Sequence, residues 1–296
     1  MVFTKLEEKI ASGAAFTRAD AQSVLDCADL VQVGMLGEGA RVAKHGSRVT
    51  YGRVLTMVEG NIPAPGAEFG ELRVTGVPAS VADARAWVRA AKPSAVGAPL
   101  TGFSLGDLLA LAGGDHLALA DIARMLNVDG LDAVAEIALD TVGDTENAIE
   151  VVRAVVHGGL GCARATVDRA AASERLELIE RAAVIHRETG ALKAFAPLPR
   201  RDPADVPSTG YDDVKTVAVA RLLCAEIDAI QVDWPLYGPK LAQVAIAYGA
   251  DDVDGVAAFD TLQLGHRRSP KEDIERQIRA AGGAPVERDG RYAPRS

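Results

Sequence analysis

The hydrophobic and polar positions of this chain change their period near residue 49. Before that point apolar residues recur at helical spacing, as in the segment that begins at Thr17 and carries Ala21, Val24 and Leu25. After it, short apolar runs alternate with segments of helical period. This alternation is typical of successive strand–helix units, in which the strands form a parallel sheet.

Eight apolar runs in the second region are short enough to be strands. They are Val49 to Val58, Glu71 to Thr75, Ala95 to Leu100, Ala133 to Ile137, Gly161 to Val167, Leu192 to Pro197, Ala229 to Asp233 and Val253 to Phe259. Eight such units predict an α/β fold, a (βα)8 barrel of the TIM type. We interpret residues 1–296 as one domain, with an N-terminal helical extension (1–48) before the barrel (49–296).

Composition and charge exclude several kinds of partner. The net charge is −9 and the acidic and basic residues are interspersed, so no basic stripe is available for nucleic acid. No apolar run approaches 18 residues, which argues against a membrane span. Acidic residues near the N-terminus argue against a signal peptide, and we therefore expect a cytoplasmic protein that binds neither nucleic acid nor membrane.

The cysteines are too widely spaced for a metal motif. Cys27, Cys162 and Cys224 are the three in the chain, and no pair has Cys-x-x-Cys spacing. We expect free, mostly buried thiols and no disulfide framework.

Polar residues at the carboxyl ends of the strands are the candidates for chemistry, because active sites of such barrels are built there. These residues are Thr75, Thr101, Glu136, Asp140, Thr166, Asp168, Arg169, Arg200, Gln231, Asp233, Trp234, Tyr237, Asp260 and His266. The Pro/Gly-rich loop Glu59 to Gly70, EGNIPAPGAEFG, lies on the same face. Asp251, Asp252 and Asp254 lie in the segment GADDVDG, where the chain enters the eighth predicted strand, so we assign them a turn or capping role on the opposite face.

Several segments together resemble a known family. They are HGSRVTY (45–51), GLDAVAEI (130–137), RETGALKAFAPL (187–198), TGYDDVKTVAVARLL (209–223), IQVDWPLYGPKLAQVAIAYGADDVDG (230–255) and IRAAGGAPVERDGRY (278–292). In this order they resemble the radical S-adenosylmethionine enzymes of the futalosine menaquinone pathway and the deazaflavin pathway, and aminofutalosine synthase is the most similar. The resemblance covers about three quarters of the chain and implies the same barrel.

The loop after the first strand departs from that family. Its members carry Cys-x-x-x-Cys-x-x-Cys there, which holds an iron–sulfur cluster that cleaves S-adenosylmethionine, and the loop Glu59 to Gly70 has no cysteine. The family's glycine strip after the second strand is reduced to Thr75-Gly76. We therefore expect no cofactor: neither a cluster nor another metal, with binding of S-adenosylmethionine doubtful. The alternative is a cluster built by rearranged Cys162 and Cys224, or by a partner chain.

The resemblance also implies a substrate pocket. It places Glu136, Gln231, Asp233, Trp234 and His266 near that pocket. If the protein is catalytic, we expect Glu136, Asp233 and His266 to carry out polar acid/base chemistry of a lyase or transferase kind, without radicals because the cysteines of the cluster are missing. The substrate-binding candidates are Thr75, Thr101, Thr166, Asp168, Arg169, Gln231, Trp234 and Tyr237. Pairing with a neighbouring arginine is the alternative role for Glu136, core packing is the alternative for Trp234, and a solvated loop position is the alternative for His266.

Two functions remain open at this point. The first is a cluster-free homologue that binds a nucleoside-like or aromatic ligand. The second is a non-catalytic partner or regulator of a paralogous radical enzyme in quinone or deazaflavin biosynthesis. A partner of that kind is expected to lose inward polar residues and to expose an apolar patch.

Overall fold

Eight parallel strands close into a barrel in this computed structural model, which describes residues 2–58, 68–201, 208–258 and 271–295. The neighbours run β2-β3-β4-β5-β6-β7-β8-β1, and β1 also pairs with β2, which closes the ring. The predicted TIM-type α/β fold is confirmed. The strands are β1 (Arg48–Val58), β2 (Glu71–Thr75), β3 (Leu100–Ser104), β4 (Ala133–Ala138), β5 (Gly161–Arg169), β6 (Leu192–Arg201), β7 (Ala229–Asp233), β8 (Asp252–Ala257) and β9 (Ala284–Arg288).

Helices follow the strands and cover the barrel from outside. The helices are α1 (Val2–Ser12), α2 (Arg18–Leu25), α3 (Leu30–His45), α4 (Val81–Ala91), α5 (Leu105–Leu111), α6 (His116–Asp129), α7 (Thr145–His157), α8 (Arg175–Thr189), α9 (Gly210–Leu223), α10 (Trp234–Ala247) and α11 (Lys271–Ala280). Their buried faces are aliphatic: α7, for example, buries Val151, Val152 and Val155. Small apolar side chains suit the close packing of helices on a sheet.

The third strand lies further along the chain than the sequence predicted. The run Ala95 to Leu100 contains a 3₁₀ turn that ends at Ala95, followed by Val96 and Gly97 at positive φ. A strand cannot pass through this left-handed backbone, so β3 starts only at Leu100. Its Gly102 lies against β2, where an added Cβ would be 3.0 Å from Val74 Cβ.

A ninth strand was missed by the sequence patterns. The first half of β1 pairs with β9, from Arg48 beside Ala284 to Gly52 beside Arg288, whereas the second half pairs with β2. Strand β9 therefore completes the barrel wall at the end where the parallel strands begin, and it brings Arg288 inside the barrel. The segment APVER has no run of apolar residues, which is why its pattern did not indicate a strand.

The N-terminal extension packs against the side of the barrel. Thr17 caps α2 by accepting from the Asp20 amide, and α3 lies on α9. Helix α3 approaches the C-terminal end of α10 closely at Gly37, where an added Cβ would lie only 2.2 Å from the carbonyl oxygen of Tyr248. The extension thus contacts the barrel away from the carboxyl ends of the strands.

Candidate functional site at the barrel mouth

A cavity of about 910 Å³ opens at the carboxyl ends of the strands. We call it the mouth cavity. Among the residues that line it are Thr56, Arg73, Thr75, Phe103, Ser104, Asp107, Glu136, Arg164, Arg200, Asp233 and Leu236. Charged side chains of both signs therefore converge at the end of the barrel where the sequence predicted the site.

Glu136 is held by two arginines. Its Oε1 accepts from Arg200 Nη1 at 2.7 Å, its Oε2 accepts from Arg200 Nη2, and Arg164 Nη2 lies 3.3 Å from Oε2. Burial opposes the charge of this carboxyl, but Arg164 and Arg200 outweigh it and hold the pKa of Glu136 below its usual value. Glu136 is thus a fixed anion that offers its remaining lone pairs to the cavity.

Asp233 has a different environment at the end of β7. Its Oδ1 caps α10 by accepting from the Leu236 amide at 3.3 Å, and within the described residues it forms no ion pair. Burial raises the pKa of Asp233, and the negative charge of Asp254 adds to the shift despite the opposing arginines. A carboxyl of this kind holds its proton to a higher pH than an ordinary aspartate does, which suits it to proton transfer.

A buried ionic network lies directly beneath the mouth cavity, and we call it the interior network. Asp254 accepts from Arg73 Nη1 at 2.9 Å, from Arg288 Nη2 at 2.9 Å and from Arg164. Asp252 accepts from Arg288 Nε at 2.6 Å and from Gln231 Nε2 at 2.7 Å. The three arginines hold the pKa of Asp254 well below its usual value against the effect of burial.

The interior network corrects the turn or capping role predicted for Asp252 and Asp254. Both lie within β8, which begins at Asp252, one residue before the predicted start at Val253. Since they are two residues apart in a strand, their side chains point to the same side, and both are buried inside the barrel. Asp251 lies at the opposite end, where it pairs with His45 and Arg221 and accepts from the Ile230 amide.

The other predicted substrate-binding residues lie at different depths. Thr75 lines the mouth cavity, whereas Thr101 is deeper and donates to Glu71 Oε1 at 2.5 Å. Thr166, Gln231 and Tyr237 line a small crevice that shares Arg164, Arg200 and Asp233 with the mouth cavity. Thr75, Thr166, Gln231 and Tyr237 therefore line the mouth cavity or the crevice beside it. Thr101 does not, because β3 begins only at Leu100 and Thr101 lies near its amino end.

Three predicted residues face elsewhere, and two, Asp260 and His266, lie outside the described residues. Asp168 pairs with exposed Arg201, and Arg169 is exposed at the end of β5. Trp234 is buried in the core, as its alternative role predicted, and its Nε1 has no partner among the described residues. His266, and with it the loop Glu59 to Gly70 over residues 59–67, lies outside the described residues.

Sequence reasoning missed the arginines inside the barrel and one aromatic residue. Glu71 and Arg73 are two apart in β2, so both point inward, and this period of two was the available signal. Phe103 lines the mouth cavity at a φ of 62° and stacks on Trp87 with ring centroids 6.2 Å apart. A left-handed backbone is costly for an aromatic residue, and such strain is concentrated at functional sites.

Comparisons with known proteins support the resemblance. No family model matches the chain. Aminodeoxyfutalosine synthase of Streptomyces coelicolor is 32% identical over 139 residues, which are 40% of this chain and 36% of that protein. The 5-amino-6-(D-ribitylamino)uracil–L-tyrosine 4-hydroxyphenyl transferase 2 of Methanosarcina mazei is 30% identical over 209 residues, 60% of this chain and 54% of that protein. The chain spans about a third to a half of these relatives' lengths.

Solved structures show the same fold at low sequence identity. Methylornithine synthase (PylB) covers 95% of this chain and 97% of its own at a TM-score of 0.64 and 13% identity. The FeFe-hydrogenase maturase HydG from Carboxydothermus hydrogenoformans covers 96% of this chain and 79% of its own, at 0.63 and 13%. In the described part of the chain, no helix is long and apolar enough to cross a membrane.

The expectation of no cofactor is contradicted by these comparisons. The relatives and structural neighbours are radical S-adenosylmethionine enzymes, which use an iron–sulfur cluster and S-adenosylmethionine. The described residues of this chain do not fit a cluster of that kind, because it needs three thiolates placed together. Cys27 follows the C-cap of α2. Burial raises the pKa of Cys162 and of Cys224 to about 12, and none of the three cysteines lines the mouth cavity.

Proposed function

We propose that this chain, a homologue of aminodeoxyfutalosine synthase and of the ribitylaminouracil–tyrosine hydroxyphenyl transferases, binds a nucleoside-like or aromatic small molecule in the mouth cavity. The observation that carries the proposal is that two carboxyl groups, Glu136 and Asp233, line the same cavity and have pKa values shifted in opposite directions. Pairs of this kind divide binding and proton transfer between two residues.

Glu136 serves binding in this proposal. Arg164 and Arg200 keep it ionised and oriented, so it accepts hydrogen bonds from ligand hydroxyl or amino groups, such as those of a ribose. Its fixed charge makes it a poor proton donor at neutral pH, because its pKa is lowered. Phe103 and Leu236 supply apolar surface on the same cavity for a planar ring.

Asp233 serves proton transfer. Its raised pKa and the absence of an ion-pair partner among the described residues leave its proton exchangeable. When protonated it donates to a basic ligand atom in the cavity, and when ionised it takes a proton from a ligand hydroxyl or amine. His266 remains a proposed catalytic residue beside Asp233. No step is derived through a cluster.

A ligand screen tests this proposal. Thermal unfolding is followed with adenine nucleosides, S-adenosylmethionine and aromatic futalosine-pathway intermediates, since a ligand at 100 times its Kd adds about 2.7 kcal/mol of stability. We expect at least one nucleoside-like or aromatic compound to raise the Tm, and Glu136→Gln to weaken its binding at least tenfold. Glu150→Gln, on the exposed face of α7, is the matched control. Absence of any shift, or equal binding by Glu136→Gln, contradicts the proposal.

A second candidate function is docking on a paralogous radical enzyme. The feature that favours it is a row of exposed apolar side chains on one face of α3, formed by Val31, Met35 and Val42. In that case Met35→Ser abolishes a complex seen by size-exclusion chromatography and leaves ligand shifts unchanged. Failure to form any complex with the radical enzyme excludes this second candidate.

A further inference from the structure

A second cavity, of about 510 Å³, lies between the N-terminal extension and the barrel. We call it the extension pocket. Residues of α1, the loop after it, α3, α8 and the end of α9 line it, and it has no residue in common with the mouth cavity. Its volume falls in the range of small-molecule sites, which is about 300–1,000 Å³.

The charge of the extension pocket is opposite to that of the whole chain. Four lining side chains are cationic, whereas Glu226 is the one acidic residue in the lining. Lys9 is neutralised by Asp20 at 2.5 Å and Arg221 by Asp251 at 2.5 Å. Lys44 and Arg187 form no ion pair within the described residues, so together with Glu226 they leave a surplus of one positive charge.

Two side chains that line the pocket carry a buried nitrogen without a partner among the described residues. Arg221 donates through Nε to Gly249 O and through Nη2 to Asp251, but its buried Nη1 has no partner among the described residues. His186 Nδ1 is also buried and has no partner among the described residues. Lys44 donates to Ala225 O and Ile227 O, carbonyl groups just after the end of α9, and so acts as a helix cap. These contacts give no partner to Arg221 Nη1 or to His186 Nδ1. Buried donors in native proteins are almost always satisfied, so Arg221 Nη1 is expected to find an acceptor such as a ligand oxygen. His186 Nδ1 is a donor in only one tautomer of the neutral ring, so it does not by itself indicate the charge of a ligand.

The opposite wall of the pocket is apolar. Ile10 and Phe16 from the extension face Ala183 of α8 and Leu223 of α9. A ligand with a charged head alone would leave this surface exposed to water, whereas an apolar or aromatic body would cover it.

We propose that the extension pocket binds a small monoanion, a carboxylate or a phosphate ester, on an apolar or aromatic body. The anionic oxygens accept from Arg221 Nη1 and lie near Lys44, and the body packs between Phe16 and Leu223. This site is separate from the mouth cavity, so it stands whether or not the proposed function holds.

Isothermal titration calorimetry of the full chain tests this site with 1-naphthoate, 1-naphthyl phosphate and the neutral 1-naphthamide. We expect one of the two anions to bind at least tenfold more tightly than the amide, and the stronger one identifies the preferred head group. Lys44→Gln weakens that binding about tenfold. Lys5→Gln, which removes the same charge from an exposed position of α1 outside the pocket, leaves it unchanged.

A filling variant and a mouth variant complete the test. Ala183→Trp occupies the pocket and abolishes binding, while Arg200→Gln at the mouth cavity leaves it unchanged. Equal affinity for the amide, no binding of either anion, or a loss in Arg200→Gln with none in Lys44→Gln overturns the proposal. The Tm of each variant shows that it folds.

Discussion

Two adjacent aspartates show how differently the mouth cavity and the interior network use the same residue type. Asp233 of β7 and Asp254 of β8 are register partners, yet their pKa values shift in opposite directions. Three arginines surround Asp254, whereas Asp233 has a helix amide and open cavity beside it. Inward polarity alone therefore does not mark a functional residue; an incomplete set of partners does.

The largest expected difference is in stability. Asp254→Asn removes the charge shared by Arg73, Arg164 and Arg288. These three buried cations then retain one acidic partner each, namely Glu71, Glu136 and Asp252. Breaking a buried network in this way costs about 3–5 kcal/mol of unfolding free energy. Urea denaturation measures the loss, and Asp233→Asn, the same substitution one strand away, serves as control. A loss below about 1 kcal/mol for Asp254→Asn would remove the distinction between the two regions.

A smaller effect is expected at the edge of the cavity. Arg200→Gln removes the paired hydrogen bonds to Glu136 but leaves Arg164 in place, and Arg200 is partly exposed. We expect a loss of about 1–2 kcal/mol, since charged hydrogen bonds contribute about 1.5–3 kcal/mol before solvent screening. The pKa of Glu136 rises in this variant, which NMR titration detects. Arg153→Gln, in an exposed pair on α7, should cost no more than about 0.5 kcal/mol.

The smallest effect is in the pH dependence of stability. Because the folded-state pKa of Asp233 is raised, its contribution is fully present below the ordinary Asp pKa of about 3.9 and is lost as pH rises through the raised value. Asp233→Asn removes this loss, so the variant gains stability relative to wild type across that window. Denaturation at a series of pH values measures the difference. A constant difference at every pH would show that Asp233 has the same pKa folded and unfolded.

The strand assignments show what periodicity can predict. Strands β2 and β7 have the predicted bounds, because ELRVT and AIQVD are short apolar runs that end at polar residues. Strand β3 was displaced by the left-handed turn at Val96 and Gly97, which no hydrophobic pattern reveals. Strand β9 was missed because its pairing partner, Arg48 to Gly52, lies more than 230 residues earlier in the chain.

The sequence by itself determined the barrel, the end at which Glu136 and Asp233 lie and the resemblance to the futalosine and deazaflavin enzymes. These follow from local period and from segment order, which are properties of neighbouring residues. The tertiary structure alone decided which carboxyl is paired and which is not. Arg288 reaches Asp254 from β9, and Arg200 reaches Glu136 from β6, across 34 and 64 residues of chain. Charge pairing depends on distance in space, so its outcome is fixed only when the barrel closes.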